Sequence, residues 1–435
     1  MSNSETESGL PLIRRVAGGL VIWCLVILAG EKCRAADEWP AFRGPAGDGH
    51  ADSARIPVQW DESLNVTWRT PFHGKSWSSP VVSDNDVWLT TANVDGTELS
   101  VLCVELDSGS IRIDRKVFDA DKPTDITAYN TYASPTPVIS GGRLYASWGS
   151  LGLACLDAST GATLWERRDL PCDHYRGAGS SPIIHNGKLF LHYDGYDNQY
   201  VVALDTATGE TVWRTDRPRD FGTTNGDHKK AYGTPLVITA DGREQLISPS
   251  AKGAFAYDPE TGDEIWRITY ACHSTANRPL FAHGLVYLSA GFPRSEIIAI
   301  RPDGQGDVTD THIVWSEGKQ MPSKPSPLLV GDLMFVISDK GGIATCLDAL
   351  TGEHVWQERI GGNFCASPLY ADGRIYFPAE DGRTTVIRAS REFEILARNQ
   401  LGDGIMASPA VTGDTLLLRD ATHLYRLDDA SPVTD

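Results

Sequence analysis

The chain has 435 residues, 57 of them acidic and 39 basic, for a formal net charge of −18. A charge of that sign and size repels nucleic acid and anionic lipid over the general surface, and so excludes both as broad partners. The length would allow two or three domains, but a repeat array can run through a whole chain as one unit, so internal repeats decide the domain count.

At the start, Arg14 and Arg15 precede an apolar run from residue 16 to residue 30, and Cys33-Arg34-Ala35 offers a small-x-small cleavage site. Residues 1–35 therefore read as a signal peptide and the protein as exported, to the periplasm or beyond. An uncleaved anchor, the alternative, wants about 18 apolar residues, and this run has 15 before Glu31 and Lys32. No later segment is apolar enough to span a membrane. Cleavage removes three acids (Glu5, Glu7, Glu31) and four bases (Arg14, Arg15, Lys32, Arg34), leaving −19. Residues 36–59 read as an N-terminal extension and residues 60–435 as the folded body. Cys103, Cys155 and Cys346 share one repeat position and read as small core residues. Cys172, Cys272 and Cys365 fall in connections, and the absence of any CxxC or adjacent pair argues against a redox motif or metal knuckle.

Two signals then recur in register. A residue followed by proline enters an apolar strand at Ser79-Pro80, Thr136-Pro137, Ser181-Pro182, Thr234-Pro235, Arg278-Pro279, Ser326-Pro327, Ser367-Pro368 and Ser408-Pro409. Downstream comes A/C-x-D-x-x-T-G-x-x-x-W, clearest at residues 155–165, 203–213, 256–266 and 346–356. Between them lie short β-rich runs joined by Asn186-Gly187 or Asp372-Gly373, strong hairpin signals. Each repeat is thus expected to be a four-stranded antiparallel meander. In its last turn, glycine supplies the positive φ while Asp and Thr side chains satisfy loose backbone donors; the tryptophan on the outer strand packs against the next blade. Such units cannot bury both faces alone, and radial closure covers them. Eight entries predict an all-β, eight-bladed propeller. The last repeat runs out after residues 423–427, so residues 65–69 near the N-terminus, with Trp68 at the tryptophan position, are expected to complete its outer strand.

These repeats, with Trp39-Pro40-Ala41-Phe42-Arg43-Gly44-Pro45 and Gly47-Asp48-Gly49 ahead of them and Gly306-Asp307-Val308-Thr309 later, resemble the PQQ-like eight-bladed propellers of the quinoprotein type, in their exported bacterial branch. That resemblance implies either a quinone-dependent dehydrogenase of alcohols or sugars, with pyrroloquinoline quinone and calcium, or a scaffold like the propeller lipoprotein of the outer-membrane β-barrel assembly machinery.

In this architecture the connections between blades gather around the central channel on one face. They carry Lys75, His174, Arg176, His228, Lys229, Lys230, Tyr232, His273, Arg278 and Lys324, the candidate ligand-binding residues, and their acids and bases balance on an otherwise acidic chain. This pattern suits a small anionic ligand or an acidic segment of a protein partner; long polar loops also carry such residues by default. No catalytic residue or metal ligand is assigned. Asp303 opens a stretch that superficially resembles a calcium loop but lacks the acid two residues on and the glutamate at position twelve, so a solvated hairpin insertion is expected. Quinone-dependent alcohol dehydrogenases of the family carry an adjacent cysteine pair, which this chain lacks. The expectation is therefore a non-catalytic binding or scaffold platform with no cofactor, with the dehydrogenase, or an envelope or matrix component, as alternatives.

Overall fold

The computed structural model describes residues 38–52, 54–217, 221–402 and 404–429; the expected signal peptide lies outside these residues. The described part of residues 36–435 forms one compact unit. No helix among the described residues is long and apolar enough to cross a membrane.

Eight sheets, each with four antiparallel strands, make the eight blades; seven take those four from one repeat and the eighth takes its outer strand from the N-terminal region. Blade 3 shows the pattern: Ile183–His185 is innermost, followed by Lys188–Asp194, Gln199–Asp205 and the outer Thr211–Asp216. Asn186 (φ 46°) and Gly187 (φ 73°) form its first turn, where both central residues need positive φ. Apolar side chains on both faces of the two middle strands are buried, as expected where blades stack on both sides.

The repeat signature has two jobs at the blade edge. Asp205 accepts hydrogen bonds from the Ala207 and Thr208 amides at 2.9 and 2.8 Å, and Thr208 accepts from Glu210. Asp157 does the same in the preceding blade, where the Ser159 and Thr160 hydroxyls and then the Thr160 amide pull its carboxyl down to about 2. The tryptophan then docks sideways: the Trp165 indole donates to Thr206 O at 3.0 Å in the next blade and covers Gly209. Trp213 and Trp315 repeat the contact on Pro259 O and Ala349 O, over Gly262 and Gly352. The glycine is thus required twice, for its positive φ and for the room the indole takes.

Blade 8 closes as the sequence predicts. Val66–Pro71 pairs antiparallel with His423–Leu427, and Trp68 donates to Leu106 O of blade 1 at 2.7 Å over Gly109. Cys103, Cys155 and Cys346 are fully buried core residues. The insertion near Asp303 differs from the expected solvated hairpin. Gly306–Asp307 pairs parallel with Glu264–Thr269, the outer strand of blade 4, and buries Val308 there. An open strand edge invites such pairing. Trp266, covered by the insertion, hydrogen-bonds Gln245 instead of the next blade.

Candidate functional site

At the blade entries the Ser/Thr-Pro motif builds a ring of hydrogen bonds. The Ser79 amide donates to Thr136 Oγ1, Thr136 to Ser181 and Ser181 to Thr234; Arg278 donates to Ser326, Ser326 to Ser367, Ser367 to Ser408 and Ser408 back to Ser79, at 2.9–3.3 Å. Proline has no amide to donate, and at seven of the eight entries the preceding residue's hydroxyl accepts from the neighbouring blade. Above this ring lie the connections.

The connections into blades 3, 4 and 5 converge. Asn225 caps a single 3-10 turn, Gly226–Lys229, by accepting from the Asp227 amide. Asp227 pairs with both Lys230 and, at 3.3 Å, Arg176. Lys230 and Arg176 also lie over the Tyr175 ring, at 5.1 and 5.2 Å, an arrangement that favours cations on an aromatic face. His228 stacks on His273 at 4.8 Å, and the exposed Phe292 sets its ring edge-on to His273 at 5.6 Å. Burial first, and then the charges of His228, Lys230, Lys252 and Arg176, push His273 down to about 4, so its ring is neutral at neutral pH. Burial, reinforced by Arg176, lowers Lys230 to about 8. The Tyr232 hydroxyl is buried without a hydrogen-bond partner in the same region.

Arg176, His228, Lys229, Lys230, Tyr232 and His273 are therefore neighbours in space. The remaining candidates are not. Lys75 sits over Trp77 in the connection into blade 1, and Lys324 pairs with Glu380 at 3.3 Å near blades 6 and 7. His174 is a wall residue: its Nε2 accepts from the Ser150 amide at 3.1 Å, and burial lowers it to about 4. Arg278 is buried and donates to Phe42 O at 2.9 Å, away from the other candidates. Lys230 has only 2% of its side chain exposed. Removing it would leave Asp227 short of a buried partner. Lys252 and Phe292 escaped the sequence reading because nothing in the repeat places them beside the candidate histidines.

A planar polycarboxylate quinone fits this donor set, with several cations and two aromatic rings close together. A divalent cation does not: among the described residues no group of three or more His, Cys, Asp or Glu could hold one, and all six cysteines are free. Cys172 and Cys272 are buried, with their thiols held protonated by burial.

Comparison with known proteins adds chemistry to this geometry. Over 147 residues the chain is 33% identical to 1-butanol dehydrogenase (quinone) of Thauera butanivorans, a match covering 30% of this chain and 22% of that protein. The europium-containing methanol dehydrogenase superposes with a TM-score of 0.68 at 13% identity over 90% of this chain and 91% of its own. BamB from Moraxella catarrhalis gives 0.58 at 14% identity over 84% and 99%. At these identities the two structures speak for the fold. The sequence relative, named for quinone-dependent alcohol oxidation, overturns the expectation of a non-catalytic platform without a cofactor; the missing cysteine pair weighed too heavily in that reading. The family model described as outer membrane protein assembly factor BamB matches residues 92–215 and 294–431, and the chain belongs to this family of PQQ-like propellers.

Proposed function

We propose that the protein is an exported quinone-dependent oxidoreductase of the alcohol dehydrogenase type, with pyrroloquinoline quinone or a similar planar polycarboxylate on its channel face. The observation that carries this reading is the convergence of Arg176, Lys230 and Lys252 around neutral His273, beside the Tyr175 and Phe292 rings. When bound, the quinone would supply the electron acceptor for oxidation of an alcohol to an aldehyde. The chain's own groups bind and orient. Arg176, about half exposed, reaches the carboxylates first. Lys230, fixed by Asp227, is a rigid second cation, and the aromatic rings exclude water from the quinone face. His273 Nδ1 is held by Ser274 Oγ at 2.9 Å, which sets the ring's orientation.

The test is a calorimetric titration of the purified chain with pyrroloquinoline quinone, with and without calcium, followed by dye-linked oxidation of 1-butanol and ethanol. Saturable one-to-one binding is expected. Arg176→Gln should weaken it by about tenfold or more, the scale of one lost charge-assisted hydrogen bond, and added salt should weaken it further. No binding in either condition sinks the reading.

A further inference from the structure

The stretch 38–51 is spent inside the channel. Inner blade strands leave one edge unpaired towards the axis, and this segment pairs with those edges in blades 1, 2 and 7 and meets blades 5 and 6 through arginine side chains. Trp39 exchanges both backbone hydrogen bonds with Val82 of blade 1, at 3.0 and 2.8 Å. Pro40 O accepts from Ile139 of blade 2 at 2.8 Å, and Phe42 O accepts from the Arg278 guanidinium at the entry to blade 5. Arg43 donates to Ser326 O and Pro327 O at 3.3 and 2.8 Å at the entry to blade 6. Gly49 O accepts from Tyr370 of blade 7 at 2.9 Å, and His50–Ala51 pairs parallel with Leu369–Ala371. The segment leaves a cavity of about 460 Å³ against the inner strands of blades 4 and 5, walled by Leu236, Ile238, Leu280 and Phe281.

Arg278 explains why the segment stays. Seven of the eight entry positions carry Ser or Thr; the eighth is Arg278. It still donates its amide to Ser326, but it has no hydroxyl to accept from Thr234, so the ring lacks that one link. Its guanidinium packs against Gly47 and reaches Phe42 O. Gly47 has φ +72°, and a Cβ there would lie 2.0 Å from the guanidinium carbon. Arg43 and Arg278 are both almost completely buried, and Asp48 is the acid whose charge acts on both. Arg278 takes its acceptor and its nearby carboxylate from the segment, and Arg43, carried by the segment, takes acceptors from blade 6; withdrawal would leave Arg278 buried and unpaired and strip Arg43 of those acceptors, so the two make a charged latch.

We propose that residues 39–51 are an intrachain plug that closes the second mouth of the channel, and that Arg278 latches it in exchange for one link of the Ser/Thr ring. The channel is then a blind funnel, and any ligand enters and leaves by the connection face alone. This holds whatever that ligand is. The same connection carries His273, five residues before Arg278, so the latch also ties the candidate site to the plug.

Hydrogen exchange read by mass spectrometry on the full chain tests this without any ligand. Arg278→Thr supplies the missing ring hydroxyl while removing the latch. Gly47→Ala drives a methyl group into the guanidinium while leaving Arg278 in place. Both variants are expected to raise exchange across residues 39–51 at least about tenfold, with the blade strands unchanged. Unchanged protection of residues 39–51 in both overturns the latch. Equal loss of protection across the blades also overturns it, because Arg278 would then be holding the ring itself.

Discussion

A glycine under an indole shows how much one atom decides. Gly209 and Gly187 both have positive φ, +76° and +73°, so alanine carries the same backbone penalty at each. They differ in their surroundings: a Cβ at 209 would sit 2.7 Å from the Trp165 ring, whereas nothing lies within 4 Å of one at 187. Gly209→Ala should therefore destabilise by roughly 1–3 kcal/mol more than Gly187→Ala, the usual cost of overpacking; urea denaturation of the two variants measures the difference.

Buried histidines set the acid limit at the same scale. Burial holds His174 near 4 and His192 near 3, below their ordinary value of 6.5. Their contribution is complete above pH 6.5 and is lost as the pH falls towards 4, because the unfolded chain takes up the protons first. Asp194 runs the other way. Burial raises it to about 6 despite Arg217 at 3.4 Å, so its contribution is lost as the pH rises from 3.8 to 6. Two imidazoles outweigh one carboxylate, and stability should fall between pH 6.5 and 4. Denaturation midpoints across that range check the slope, which His192→Gln should flatten.

At the scale of elements, the strand Val66–Pro71 joins the two ends of the described chain, pairing with His423–Leu427. Its contacts are among the longest in sequence, and their loss opens the ring between blades 8 and 1. A chain starting at residue 72 should lose cooperative unfolding altogether. Shortening the exposed turn at Gly141-Gly142, where nothing lies near either glycine, should shift the midpoint little. Thermal melts of both variants distinguish the outcomes. This strand was legible in advance because Trp68 stands where the other repeats have their tryptophan and the last repeat is one strand short. The insertion at residues 301–312 was not, because its partner is a strand edge some forty residues back and its own sequence carries only turn signals.

At the scale of the whole molecule, the hydroxyl ring gives the Ser/Thr-Pro signal its reason. Six links join blades whose entry residues are 41 to 57 positions apart, and a seventh joins Ser408 to Ser79 across 329. A net charge of −18 surrounds a channel face that gathers cations, so under the proposed function an anionic ligand would be repelled by the body and held at that face. Its binding should depend on salt mainly through Arg176, the more exposed of the two cations that pair with Asp227.

By itself the sequence determined the repeat, the blade count, the turn chemistry and the closing strand, because each follows from spacing within a unit of some fifty residues and is written eight times over. Only the tertiary structure decided which polar residues of the connections come together. Arg176, Lys230 and His273 meet because three separate connections lean together, whereas His174 turns into the wall and Arg278 reaches Phe42, 236 positions away. Such meetings depend on how blades stack around an axis, and no local period encodes them. The plug is the clearest case: its residues were visible as a motif, but their acceptors lie on the inner edges of blades that exist only once the ring has closed.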